Sequence, residues 1–228
     1  MTAWKEKRSR LIDRGKRSLV LLISIVVLFG LAPIIEDYRI GGLLLLLNFY
    51  ITLVAATVEL AEERALFRSA IPIAIASMTL LLACHYYPVW PLLFTNYLVL
   101  AAFLMLVSGS LFHYLGQKGQ MTEDRLVVSV SLYFLLGLAW FALYNLINLL
   151  QPGSFAEGGV ALTGRIHWST LLYFSLVTLT TLGYGDIAAV KPAARMIATL
   201  EASAGVLYIA ITVARLVAAH SPRRNGEM

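Results

Sequence analysis

The chain has 228 residues, of which 59% are hydrophobic and only 14% charged, with a formal net charge of +5. Soluble domains carry about 25% charged residues, and residues 69–117 contain no Asp, Glu, Lys or Arg. An ordinary soluble enzyme or binding domain is therefore excluded, and the composition points to a protein buried by lipid rather than by its own core.

Residues 1–17 carry seven basic groups, Lys5, Lys7, Arg8, Arg10, Arg14, Lys16 and Arg17. Cytoplasmic flanks of membrane proteins are enriched in Lys and Arg, so this N-terminus is expected inside. A nucleic-acid role is set aside because the basic run leads directly into an apolar span. No small-residue cleavage site follows that span, so an uncleaved anchor is expected rather than a signal peptide. Spans are expected at about 18–35, 40–60, 70–87 and 92–114, each near the ~20 residues a helix needs to cross a bilayer. The run Tyr86-Tyr87-Pro88-Val89-Trp90-Pro91 separates the third from the fourth, as prolines with aromatics suit an interfacial turn. Glu59, Glu62, Glu63, Arg64 and Arg68 read as a solvated cytoplasmic loop. The single Cys84 cannot form an intrachain disulfide and reads as a small apolar filler.

A fifth span is expected at about 126–150 and a sixth at about 193–219, opened by Pro192. Six spans return the C-terminus to the cytoplasm, and on that map only Arg39, Arg165, Lys191 and Arg195 among the basic residues lie outside. An odd number would place Arg223 and Arg224 outside as well. The segment 165–186 is about one span long but is bracketed by Arg165 and Asp186. It reads as a re-entrant loop: a short helix from Ile166 to Thr180 descends, and the chain returns extended. Non-helical backbone at membrane depth is tolerated only where it lines a water-filled path or is buried in protein. The short helix would aim its negative C-terminal end at the centre of such a path, which favours a cation there.

Residues 181–186 read Thr-Leu-Gly-Tyr-Gly-Asp. Glycine tolerates positive φ, so Gly183 and Gly185 permit an extended backbone with its carbonyls turned to one side. Carbonyl rings of this kind replace the hydration shell of K+. The run from Leu172 through Asp186, with the apolar segments on either side of it, resembles the pore module of potassium channels, bacterial members in particular. The resemblance covers 126–219: outer helix, pore helix, filter and inner helix. Residues 1–125 resemble six-transmembrane potassium channels only in offering four spans.

The resemblance implies that Thr181 supplies a hydroxyl and a carbonyl at the inner end of the filter, and that Leu182, Gly183, Tyr184 and Gly185 supply carbonyls above it. Valine is usual where Leu182 stands; a backbone ligand survives that change, but the packing behind it differs. Asp186 is expected to accept a hydrogen bond behind the outer filter. Tyr173, at one of two positions often held by tryptophan, is the expected donor, with Thr180 as further filter support. The alternative for Asp186 is a carboxylate exposed at the mouth that attracts cations.

Gly205, twenty residues beyond Gly185, matches the inner-helix glycine of the family. It is either a gating hinge or a small residue that lets the inner and pore helices approach. Ile209, Val213 and Leu216 or Val217 recur below it at helical spacing and form either a hydrophobic gate or a lipid-facing stripe. Glu201 is an ionisable group inside a span, where such groups rarely face lipid. It either raises cation density or senses pH, or it is a buried carboxyl tying the inner helix to Thr178 or Thr180. The second reading is favoured because Glu201 should sit beside the pore helix.

The fourth span has no arginine, whereas voltage sensors place about three or four gating charges per subunit in the field; steep voltage dependence is not expected. His85 and His167 near the outer face and His113 near the inner face read as interfacial packing, with proton sensing as the alternative. Gly41-Gly42 and Ser108-Gly109-Ser110 either ease helix contacts or mark helix ends. No phosphate-binding loop, zinc spacing, nucleophile elbow or long repeat occurs, so no enzyme and no cofactor is expected, only K+ as permeant ion.

The sequence thus predicts an all-α membrane protein with six transmembrane helices, a re-entrant pore helix and an extended selectivity filter. Its parts are a basic cytoplasmic N-terminus (1–17), a four-helix peripheral membrane domain (18–116), a cytoplasmic linker (117–125), the pore module (126–219) and a short cytoplasmic tail (220–228). No ligand-binding domain is expected in the tail, and a regulator is expected to act on the membrane part or through a separate partner. One Gly-Tyr-Gly per chain and a four-sided carbonyl cage imply a homotetramer, embedded in membrane lipid, with no nucleic-acid partner and a location in the bacterial inner membrane. The expected function is passive, potassium-selective conduction. The alternatives are a weakly selective cation channel, given Leu182, and a non-conducting sensor or accessory subunit that keeps the pore fold.

Overall fold

The computed structural model describes residues 2–35, 38, 41–117, 122–163 and 166–220. Arg39, Arg165, residues 118–121 of the expected linker and nearly all of the expected tail lie outside these residues. Among the described residues six helices are long and apolar enough to cross a bilayer: α1 (Thr2–Ile35, apolar from Lys16), α2 (Gly41–Glu59), α3 (Arg64–Tyr86), α4 (Trp90–Gly116), α5 (Glu123–Leu150) and α7 (Pro192–His220). A seventh helix, α6 (Trp168–Leu179), has 12 residues. The protein is an integral membrane protein, mostly helical.

Helix limits follow local chemistry. A Cβ at Gly41 would overlap the Ile35 carbonyl, so a glycine is required where α2 turns back on α1. The α3–α4 break falls at residues 87–89, where Val89 is extended and Pro91 enters the first turn of α4. Trp90 Nε1 donates to the Leu149 carbonyl at 3.4 Å, placing the start of α4 beside the end of α5. At the other end of α4, Arg215 of α7 donates to the Leu115 carbonyl at 2.6 Å and Arg125 of α5 to the Gln117 carbonyl at 3.3 Å. Cations there satisfy last-turn carbonyls and complement the helix dipole.

Helix α5 is the centre of the packing, touching α1, α4, α6 and α7. Phe103, Leu132, Leu135, Leu138 and Tyr144 are wholly buried within the core it organises. The mostly helical structure agrees with the all-α expectation, and to it are added three short strands, β1 (Phe155–Glu157), β2 (Val160–Ala161) and β3 (Ile187–Ala189), in an antiparallel sheet of order β2-β1-β3. One sequence expectation needs correction. Glu59 is not on a solvated face: it is 2% exposed, and Ser18 Oγ donates to it at 2.9 Å. Close packing of α1 on α2 encloses the carboxylate, because a polar group at a helix contact is held by a hydrogen bond across that contact.

Candidate functional site: a carbonyl-lined segment hung from a short helix

The sheet fixes both ends of the segment between α5 and α7. Strand β1 pairs with β3 in the register Phe155↔Ala189, Ala156↔Ala188, Glu157↔Ile187. The chain therefore departs from the end of α5, runs through α6, and comes back to the end it left. Val190 N–H donates to the Ser154 carbonyl at 2.9 Å, and Lys191 Nζ to the Pro152 carbonyl at 2.8 Å.

Between α6 and β3 lies the Thr-Leu-Gly-Tyr-Gly segment. Thr181, Gly183 and Gly185 have φ of 58°, 58° and 79°, so left-handed residues occur at every second position. In an ordinary strand successive carbonyls point to opposite sides. Alternating handedness cancels that reversal and turns them to one side. Glycine adopts this conformation freely. Thr181 is β-branched and does so at a cost of about 1–3 kcal/mol, and strain of this kind clusters at functional sites. The N–H groups of Leu182 and Gly183 donate back to the Val177 carbonyl at 2.9 and 3.4 Å. Among the described residues, no N–H or hydroxyl of the chain donates to the carbonyls of 181–185. Leu182 and Tyr184 are 55% and 68% exposed. The segment thus hangs from α6 by its donors and presents its acceptors elsewhere.

Helix α6 is held on opposite faces. Tyr173 and Ser175 are two residues apart, about 200° around a helix. Tyr173 Oη donates to Asp186 Oδ2 at 2.7 Å, and the Ile187 N–H donates to Oδ1 at 2.9 Å. The Tyr173 hydrogen bond, helped by the backbone donor, holds the Asp186 carboxyl below the usual carboxylate range. On the other face, Ser175 Oγ lies 2.8 Å from the Gly137 carbonyl and 2.6 Å from Glu201 Oε1, and Tyr144 donates to Glu201 Oε2. Glu201 is wholly buried. Its partners are Ser175 and Tyr144, not Thr178 or Thr180 as the sequence suggested. Among the described residues the Thr178 side chain does not bond Glu201, and the Thr180 hydroxyl bonds back to the Leu176 and Val177 carbonyls at 2.7 and 3.3 Å, capping its own helix. Ser175 lies nearer the middle of α6, which is the level Glu201 reaches.

The C-terminal end of α6 is enclosed too. Tyr133 of α5 donates to the Leu179 carbonyl at 3.2 Å, and a Cβ at Gly205 would overlap the same carbonyl. Gly205 therefore sits at a close backbone approach between α7 and α6. Ile209, Val213 and Val217 share one face of α7 and are exposed on the single chain. At the middle of α6, Phe174 meets Tyr144 and Phe155 edge to face, the three ring centroids lying 5.0–5.4 Å apart. His85 packs against Tyr86, its ring near Gly42, while Gly109 faces open space.

Sequence reasoning missed Tyr133, Tyr144, Ser175 and Gly137 as supports. The available signal was a tyrosine inside an apolar span, whose hydroxyl needs a partner once buried. The hairpin was announced too, by Gly158-Gly159 between Glu157 and Val160. A two-residue loop with positive φ at both positions (55° and 85° here) is the type I′ pattern that glycine pairs favour.

Known proteins point the same way. Residues 128–220 match the family model described as Ion channel. Over 84 residues the chain is 31% identical to the inward rectifier potassium channel Kirbac3.1 of Paramagnetospirillum magnetotacticum, covering 37% of this chain and 24% of that protein. The chain thus spans about a quarter of that relative's length. No solved structure matches the chain. The matched region is similar to a potassium-channel pore module, a non-enzymatic device for moving ions.

Proposed function

We propose that the protein is the subunit of a potassium-selective channel in which four copies bring residues 181–185 around a common axis and conduct K+ passively. The alternating-handed segment carries the reading, since its carbonyls are unclaimed by donors among the described residues. In a ring of four, Thr181, Leu182, Gly183, Tyr184 and Gly185 substitute carbonyl oxygens, and the Thr181 hydroxyl, for the water lost by each ion. Ions move down their gradient and no bond is broken. The 12-residue α6 lies at membrane depth as a re-entrant pore helix, its C-terminal dipole favouring the cation. Helices α1–α4 form the periphery, both termini face the cytoplasm of a bacterial cell, and the exposed apolar residues meet lipid or neighbouring subunits. Opening is not steeply voltage-dependent, because α4 carries no Lys or Arg.

Purified protein in liposomes tests this directly. Potassium flux is expected, with a reversal potential in mixed K+ and Na+ close to that of K+ alone. A reversal potential near zero would mark a weakly selective cation pore, the alternative that Leu182 in the usual place of valine leaves open. Absence of flux from correctly assembled protein would leave a non-conducting subunit with a pore fold.

A further inference from the structure

We infer that Glu201 is held as a neutral carboxylic acid and acts as a positioning residue, its own proton completing the lock between the pore helix α6 and the helices α5 and α7. The argument is a proton count. Three oxygen–oxygen contacts close the cluster: Ser175 Oγ to the Gly137 carbonyl at 2.8 Å, Ser175 Oγ to Glu201 Oε1 at 2.6 Å, and Tyr144 Oη to Glu201 Oε2. Each requires one proton. A carbonyl supplies none, and each hydroxyl supplies one. With an ionised Glu201, two protons would serve three contacts, and Ser175 would face two acceptors with one hydrogen. With a neutral Glu201 the count closes. Oε1–H donates to Ser175, Ser175 donates to Gly137, and Tyr144 donates to Oε2.

The surroundings agree. Glu201 has no solvent exposure, and a buried carboxylate without a cation beside it is costly enough that the neutral form takes over. The groups acting on it are Ser175 of α6 and Tyr144 of α5, with Tyr133 of α5 within electrostatic reach. None of them is cationic.

The functional consequence rests on the pore reading above, whereas the protonation state does not. Glutamine copies the neutral acid, its carbonyl accepting from Tyr144 and its amide donating to Ser175. The test compares full-length wild type, Glu201→Gln and Glu201→Ala, purified and reconstituted at neutral pH. Infrared spectroscopy is expected to show a protonated-carboxyl C=O band that shifts in D2O and is missing from Glu201→Gln. Potassium flux through Glu201→Gln should stay within about twofold of wild type, while Glu201→Ala, which strands two buried hydroxyl contacts, falls by roughly tenfold or more or fails to assemble. Absence of the infrared band overturns the proposal, as does loss of flux or assembly in Glu201→Gln. If wild type itself passes no potassium, the pore reading fails, and the infrared band still decides the proton.

Discussion

Helices α1–α4 and the pore unit α5–α7 use their side-chain hydrogen bonds to different ends. In the first region most hydroxyls bond within their own helix: Thr52 to Asn48, Thr57 to Leu53, Thr79 to Ile75 and Ala76, Thr95 to Pro91. Ties between helices exist there, such as Tyr50 to the Met78 carbonyl, but they are dispersed. Buried side-chain oxygens on Ser77, Asn96 and Ser108 there have no hydrogen-bond partner among the described residues, and the same holds for one on Asn148 of α5. In the pore unit Tyr133, Asp186 and Glu201 all bond to one 12-residue helix, and Tyr144 in turn bonds Glu201. Lipid tails are as apolar as leucine, so apolar burial does little to fix helix against helix in a membrane. Directional bonds do so, and they are concentrated where the position of a few carbonyls matters.

Breaking the pore side of this contrast should have the largest effects. Gly185→Ala forces an L-residue to φ near 79°, at about 1–2 kcal/mol. In the proposed tetramer that cost is incurred four times, at least ~4 kcal/mol in all, or roughly a thousandfold at 1.4 kcal/mol per decade. Potassium flux should vanish, and conduction close to wild type would refute the filter assignment. Gly205→Ala comes next. Alanine favours a helix over glycine by about 1 kcal/mol, so a pure hinge would gain stability and remain assembled with altered opening. Overlap with the Leu179 carbonyl instead predicts a loss of about 1–3 kcal/mol per subunit, visible as a lower dissociation temperature of the oligomer. A more stable oligomer would restore the hinge.

The sequence displayed the six apolar stretches and the Thr-Leu-Gly-Tyr-Gly segment plainly, because lipid demands long uninterrupted runs and Gly-Tyr-Gly is confined to few backbone uses. Partners were harder to read. That Glu201 belongs beside the pore helix follows from its depth, but choosing Ser175 over Thr178 or Thr180 needs the rotation of α6 about its own axis. The hydrophobic pattern of α6 does not reveal that rotation, since the helix is apolar nearly all round. Tyr173 and Asp186 were legible only as a pair, from the resemblance to a family. Glu59 illustrates the opposite failure. Charge density near residues 59–68 reads as solvated, and a carboxylate enclosed by α1 is invisible until the angle between α1 and α2 is known.

A smaller effect is expected from Tyr173→Phe, which removes the hydroxyl that bonds Asp186. That bond stands near solvent, so its loss should lower flux by only about fivefold at neutral pH. The sign of the pH dependence follows from the depressed carboxyl. Its stabilising contribution is fully present above the ordinary Asp value of about 3.9 and is lost as pH falls through the lower folded value. Without the phenol the carboxyl rises toward its ordinary value. Acid inactivation should therefore begin at higher pH in Tyr173→Phe than in wild type, and the two should converge once the carboxyl is protonated in both. Flux measured across an acid titration checks this, and superimposable profiles would reduce Asp186 to an exposed mouth charge.

The smallest effect sharpens the contrast from the other side. Thr79→Val in α3 removes a hydroxyl that bonds only the Ile75 and Ala76 carbonyls of its own helix. Those carbonyls keep their backbone partners, and valine has nearly the shape of threonine. The expected change is within about 0.5 kcal/mol in oligomer stability, with flux unaltered. Equality with wild type would show that a hydroxyl in the first region serves its own helix. A clear loss of flux would mean that α3 is coupled to the filter through contacts as exacting as those around α6, and the division between an adaptable periphery and a fixed pore would have to be redrawn to include it.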